Sequence, residues 1–395
     1  MEQEGTKIPA RPRTSIASRL LVALVASLLC FSVAELAARV LWKSRIVLFP
    51  RFHAEARYGE FTLRRLVPHA RFWHTSIDGS WEFRTNAQGF RDDQDWPLEK
   101  PAGRVRVLVL GDSHTEGFEV RQEHTYSAVM ERALRARGID AQVLNAGVSG
   151  FGTAEELAYL ENEGIRYAPD AVVLGFYGND FEDNANAGLF GLRDGAIVQL
   201  STSHVPGVAE LHVMNAIPGL AWLSQNSYFY SQLMNTVWDI AKRQLLLRAH
   251  ARVETEYAVP SGVSVGEAET QLAGALIGRM HAFCRAHEIP LVILDIPVPD
   301  PLFVAPDAPI EESLGFRSSV PEPLVDVFRR QSEAFLDSDA VLGPWRGVAE
   351  IHRRHGDRHI NEFAHAVLGR AAAEAVAALL AEEPSDDRVR QRRDH

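Results

Sequence analysis

The segment Val105-Arg-Val-Leu-Val-Leu-Gly-Asp-Ser-His-Thr-Glu-Gly117 constrains the fold of this chain more than any other, because an unbroken apolar run enters a Gly-Asp-Ser turn directly. Val105 to Leu110 carries branched apolar residues on both faces, with Arg106 the one polar interruption, as a parallel strand covered by helices on both sides requires. Gly111 permits a sharp exit without a Cβ clash. Asp112 and Ser113 then fall at the strand's carboxyl end, where open α/β sheets place their ligands. A Gly-Asp-Ser tripeptide alone is more often a plain turn or a helix cap, so other segments must decide whether Ser113 carries chemistry.

At 395 residues and 46% hydrophobic content the chain can bury a large core, as one big α/β domain or two smaller ones. A net charge of −11 supplies no basic field for a phosphate backbone, which argues against nucleic acid as a partner. Cys30 and Cys284 are too few for a disulfide framework or a cysteine metal cluster. Leu20 to Ala34 carries no charge, and with its flanks the apolar tract over 16–42 approaches membrane-spanning length, interrupted by Glu35 near one end. The tract reads first as an uncleaved signal anchor, second as a cleaved signal peptide, third as a buried soluble helix. Lys7, Arg11, Arg13 and Arg19 before it are matched by Arg39, Lys43, Arg45 and Arg51 after it, so charge does not set its orientation.

Residues 1–15 read as a disordered tail and 43–100 as a loop-rich connector that could contain strands. Within the connector, Thr85 to Arg91 reads as a turn around Gly89. Thr125 to Arg137 has helical spacing and ends at Gly138. A short strand at Gln142 to Leu144, a glycine-rich loop from Asn145 to Thr153, a helix over Ala154 to Glu163 and a strand from Ala171 to Phe176 follow. A helix from about Glu267 to His287, a strand from Leu291 to Ile296 and a last helix from about Asn361 to Ala381 complete the alternation, which predicts a parallel, doubly wound sheet. The stretch 182–260 breaks that rhythm and reads as an insertion. Its apolar helix, Ser227 to Ala249, reads first as packed and second as leaning on the membrane. Residues 383–395 read as a charged, disordered tail.

Acyl transfer by serine needs a nucleophile, a base, a group that orients the base, and donors aimed at the developing oxyanion. Ser113 is the candidate nucleophile, His359 the base and Asp357 its partner. In a locally extended loop, residues two apart point the same way. Gly150 and Asn179 each follow a strand at the same sheet edge as Ser113, so a bare N–H and a side-chain amide could join the Ser113 N–H as oxyanion donors. Taken singly, Gly150 is a loop glycine, Asn179 a turn residue and His359 a residue before a helix. Their joint order after successive strands is what carries the reading.

At these residues the sequence resembles the SGNH hydrolases, also called the GDSL esterase/lipase family. Gly111-Asp-Ser113 resembles the first block, Asn145 to Gly150 the second, Gly178-Asn-Asp180 the third and Asp357-Arg-His359 the fifth. The resemblance covers about residues 101–382 and implies a flavodoxin-like three-layer α/β/α sandwich with a parallel sheet, here preceded by a single N-terminal transmembrane helix. It also implies no cofactor, no metal, and the roles just given for Ser113, Gly150, Asn179, Asp357 and His359. Many esterases of the family place Asp three residues before His. The two-residue spacing here is similar to that of membrane-associated polysaccharide O-acetyltransferases, and Asn86-Ala-Gln-Gly89 with Arg91 resembles bacterial membrane-anchored members. Those likenesses imply a catalytic domain outside the cytoplasm and a serine esterase removing a small acyl group, acetyl, at a carbohydrate hydroxyl. The same residues could serve O-acetyl transfer. The rivals from other classes are a metal-dependent hydrolase drawn from His352, His355, Asp357, His359 and His365, and a non-catalytic envelope binding protein.

Overall fold

The computed structural model describes residues 15–205, 207–253, 265–300, 314–356 and 358–382. Residues 1–14 and 383–395 of the terminal tails and Asp357 lie outside the described residues. Five strands form the central parallel sheet: β1 (Val105–Gly111), β2 (Ala141–Asn145), β3 (Ala171–Phe176), β4 (Leu291–Asp295) and β5 (Ala334–Leu336), in the order β5-β4-β3-β1-β2. The period of two along β1 divides its side chains between two cores. Val107 and Val109 pack with Tyr126, Met130, Leu368 and Val376 from the helices Tyr126–Ala136 and Glu362–Glu382. Leu108 and Leu110 pack with Leu157, Leu160, Leu276 and Ile277 from Thr153–Asn162 and Val265–Ala286. The fold is therefore α/β with the parallel sheet expected from the alternation of elements and the three layers implied by the resemblance. Burying Arg106 within β1 is tolerated because its guanidinium donates to Gln142 Oε1 and to the carbonyls of Tyr167 and Leu98.

The chain leaves β1 for β2 on one side and then crosses to β3 on the other, so the strand order reverses between β1 and β3. Crevices that bind ligands in such sheets open at this reversal, beyond the carboxyl ends of the strands.

The helix Ile16–Leu41 is long and apolar enough to cross a membrane, and none of its most apolar 18-residue window is buried. Glu362–Ala381 also passes that test of length and composition, but Ala364, Leu368, Ala372 and Val376 of the same helix sit in the core.

Residues 43–100 contain strands, as the reading of a connector allowed. His53–Tyr58 pairs with Phe61–Leu66, and Arg71–Ser76 with Gly79–Arg84, as two antiparallel hairpins. Each strand is six residues long, and the inward residues Phe61, Leu63, Phe72, Trp81 and Phe83 alternate with arginines and other polar groups. The predicted turn at 85–91 is closed by Asn86, whose Oδ1 accepts from the N–H groups of Gln88 and Phe90. The stretch 182–260 contains a hairpin, Phe190–Arg193 with Ala196–Gln199, then the helices Val208–Asn215, Leu220–Asn226 and Tyr228–Val253.

Candidate active site

Gly111 ends β1 at φ 150°, and a Cβ there would lie 1.9 Å from Thr115 Oγ1, so only glycine fits the exit. Asp112 then caps the short helix Ser113–Glu116, its Oδ1 accepting from His114 N–H at 2.8 Å. This turn presents Ser113 at the sheet's carboxyl edge, half-buried. From the far end of the chain, His359 brings Nε2 to 2.7 Å from Ser113 Oγ.

His359 is held from both sides. Its carbonyl accepts from Arg353 N–H at 2.7 Å, and Ile360 forms an antiparallel bridge with His352. Arg358, just before it, takes a left-handed φ of 54°, a strained conformation for a residue with a side chain. The imidazole lies against His114, with ring centroids 4.5 Å apart, and against Phe118 at 4.7 Å. Burial, with His352 nearby, pushes the pKa of His359 down to about 3, which keeps the ring neutral. Its Nδ1 is buried and has no hydrogen-bond partner among the described residues.

The glycine-rich loop after β2 is tied to the serine turn. Glu116 Oε2 accepts from both the N–H and the hydroxyl of Ser149 at 2.7 Å, and Asn145 Nδ2 donates to the Thr115 carbonyl. Gly150 follows at φ 75°, its carbonyl accepting from Arg64 Nη2. Ser113, Gly150 and His359 line one chamber of about 230 Å3 with Arg51, His53 and Arg64. Asn179 stands after β3 as the N-cap of Asp180–Ala187, with its amide donating to Asp183 Oδ2 at 3.0 Å. It lies beside Asp112, whose carboxyl burial pushes up to about 6 while the hydrogen bond accepted from His114 N–H and the neighbouring Asn179 side chain lower it. The structure therefore brings Ser113, Gly150 and His359 to one space, with the Asn179 amide turned toward carboxylates at its edge.

Arg64, His114 and Phe118 belong to the site and carried no motif in the sequence. Arg64 reaches it from a hairpin of the connector, and no local pattern announces such a distant contact. The remaining histidines of the C-terminal cluster are separately engaged: His352 Nε2 with the Pro297 carbonyl, His355 Nδ1 with Asp78, and His365 Nδ1 with Tyr126 N–H. Among the described residues no group of three or more His, Cys, Asp or Glu could hold a metal ion.

A hydroxyl hydrogen-bonded to a neutral imidazole, with backbone donors close by, can act as a nucleophile toward a carbonyl. The sequence profile of the GDSL-like lipase/acylhydrolase family matches residues 109–316, more than half of the chain. The chain belongs to this family. It is thus an ester-bond hydrolase of the GDSL, or SGNH, type. The matched region holds Ser113, Gly150 and Asn179 and stops before His359. An arylesterase of Vibrio mimicus is 33% identical over 75 residues, which span 19% of this chain and 38% of that protein. Among solved structures, TesA is 15% identical with a TM-score of 0.36, over 69% of this chain and 99% of the other. The acetyl xylan esterase AlAXEase is 11% identical with a TM-score of 0.34, over 70% and 99%.

Proposed function

We propose that this GDSL hydrolase cleaves its ester through an acyl-enzyme on Ser113. The observation that carries the reading is the 2.7 Å contact between Ser113 Oγ and His359 Nε2, which both line the chamber. As Oγ attacks the ester carbonyl carbon, its O–H bond breaks and the proton passes to Nε2. The carbonyl oxygen becomes an oxyanion facing the N–H groups of Ser113 and Gly150, joined by Asn179 once its amide turns from Asp183. Collapse expels the alcohol, which takes the proton from His359. Water then repeats the sequence on the acyl-serine and releases the carboxylic acid. Asp357 is assigned as the acceptor for Nδ1–H, because a buried imidazolium with no partner on that nitrogen would be poorly stabilised.

The acyl group is proposed to be small, acetyl, borne on a carbohydrate hydroxyl, with hydrolysis ahead of transfer to a second hydroxyl. The modest chamber and its polar residues Arg51, His53, Arg64 and Ser149 support that reading. The helix Ile16–Leu41 is proposed to anchor the domain at the outer face of a membrane. The test is to supply acetylated saccharides, with and without free glycan, and to follow acetate and acetylated glycan by mass spectrometry. Acetate released by the wild type and lost in Ser113→Ala is the expected result. Acetylated glycan as the main product would make the protein a transferase, and equal turnover by Ser113→Ala would sink the nucleophile assignment.

A further inference from the structure

The family profile begins at residue 109, yet one wall of the reaction chamber comes from an earlier hairpin, His53–Tyr58 with Phe61–Leu66. Side chains alternate between the two faces of a strand. Phe61 and Leu63 sit in the core that also holds Leu108 and Leu157, and Arg64 turns the other way, into the chamber that Ser113 lines. The packed neighbours give the arginine a fixed base.

Arg64 meets the glycine-rich loop at one place. Its Nη2 donates to the Gly150 carbonyl, and among the described residues its guanidinium makes no other hydrogen bond. A Cβ on Gly150 would stand 2.9 Å from Nη2, 3.2 Å from Nη1 and 3.4 Å from Cζ, so the guanidinium lies against the bare α-carbon. Glycine at this position serves twice, permitting φ 75° and admitting the close approach of a planar cation. The preceding residue is gripped from the other side, because Ser149 gives both its N–H and its hydroxyl to Glu116 Oε2 at 2.7 Å. The Gly150 N–H stands between these two grips.

The carboxylates around Arg64 are committed to other partners. Glu155 binds His204 Nδ1 at 2.7 Å and Gly152 N–H at 3.1 Å, and Asp183 accepts from the Asn179 amide. They balance the cation from a distance and leave its donors to the loop. With Asn179 turned toward Asp183, any oxyanion that forms first meets the N–H groups of Ser113 and Gly150, so the setting of the Gly150 peptide governs how well it is met.

We propose that Arg64 is a positioning residue for the oxyanion hole, its guanidinium locking Gly150 so that the N–H faces the point where negative charge develops. The proposal rests on the assignment of Ser113 as nucleophile and Gly150 as oxyanion donor. Without the guanidinium the Gly150 carbonyl loses its partner, and a glycine rotates away at low cost.

The test compares wild type, Arg64→Lys and Arg64→Ala on 4-nitrophenyl acetate, with phenylboronic acid as a mimic of the tetrahedral intermediate. In that adduct the Ser113 oxygen bonds to boron, its proton passes to His359, and a boron hydroxyl takes the oxyanion position. Arg64→Ala should lower kcat by about 10-fold to 100-fold with little change in KM, and should weaken the boronic acid by a similar factor. Arg64→Lys keeps the charge without the planar fork and should fall between the two. Guanidinium chloride, below concentrations that unfold the protein, should restore part of the lost kcat to Arg64→Ala, and sodium chloride should not. Should Arg64→Ala fail to fold, Arg64→Lys carries the same comparison of kcat with boronic acid affinity. A KM that rises at constant kcat would make Arg64 a substrate contact and overturn the positioning role. Unchanged kinetics, or a fall in kcat with the boronic acid bound as tightly as before, would overturn it too. Turnover that survives Ser113→Ala would instead overturn the catalytic reading on which it rests.

Discussion

Ser113 Oγ and His359 Nε2 lie 2.7 Å apart, although 246 positions separate the two residues in the chain. The base must be neutral to take the serine proton, so kcat/KM falls as pH drops through its pKa. Burial pushes that pKa to about 3, against 6.5 for an ordinary imidazole. The expected profile falls on its acid side as the ring takes up a proton, the limb lowered by burial and raised by the carboxylate proposed to accept from Nδ1–H. His359→Ala should lower kcat by about 10³-fold or more. A rate that rises as the medium becomes acid would count against a neutral His359 as the base.

Asn179 donates its amide to Asp183 in this structure. If it turns to the oxyanion during reaction, Asn179→Ala should reduce kcat by about 10²-fold to 10³-fold with little change in KM, since the interaction exists only in the transition state. Steady-state kinetics on a short ester distinguishes this from a ground-state role, which would raise KM instead.

Arg91 is buried and donates to the carbonyls of Glu116, Gly117 and Val120, with its guanidinium 4.4 Å from the centre of the Phe83 ring. Arg91→Met keeps the bulk but leaves three carbonyls short of a donor behind the serine turn, at a cost of about 3 kcal/mol or more. Thermal unfolding followed by circular dichroism should show a clear fall in Tm together with reduced activity. An unchanged Tm would show that water replaces the guanidinium at no cost.

Glu116 is fully buried, and burial pushes its pKa from 4.5 up to about 7, despite hydrogen bonds from Ser149 that lower it. Below pH 4.5 both folded and unfolded states hold the proton and no penalty exists. Between 4.5 and 7 the unfolded chain releases it first, so stability falls as pH rises, and above 7 the full penalty remains. Glu116→Gln keeps a carbonyl for Ser149 and removes the titration. The stability of the variant relative to wild type should therefore improve by about 3 kcal/mol between pH 4.5 and 8, as measured by denaturant unfolding at each pH. A difference that does not vary with pH would contradict the buried, proton-holding carboxyl.

The strands and helices that carry the site were legible because each declares itself over a short window. Val105 to Leu110 and Ala171 to Phe176 are continuous apolar runs, and their ends place Ser113 and Asn179 without any tertiary information. The alternation of elements was enough for the parallel sheet. The hairpins of residues 53–84 were less visible, since six-residue strands with arginines on their outer faces give few apolar repeats. Arg64 on Gly150 and His114 against His359 depend on how distant segments meet, and nothing local to either residue encodes that meeting. The cap that Glu35 provides for Tyr228–Val253 is of the same kind: in sequence it reads as a charge interrupting an apolar tract.

The central claim is that Ser113 becomes acylated because His359 removes its proton. The most direct measurement is to react the full chain with a fluorophosphonate and locate the adduct by peptide mass spectrometry. A single modification on the peptide bearing Ser113, slowed at least about a hundredfold in His359→Ala and absent in Ser113→Ala, is the result expected. Labelling of another residue that abolishes activity, or full activity after complete modification of Ser113, would contradict it.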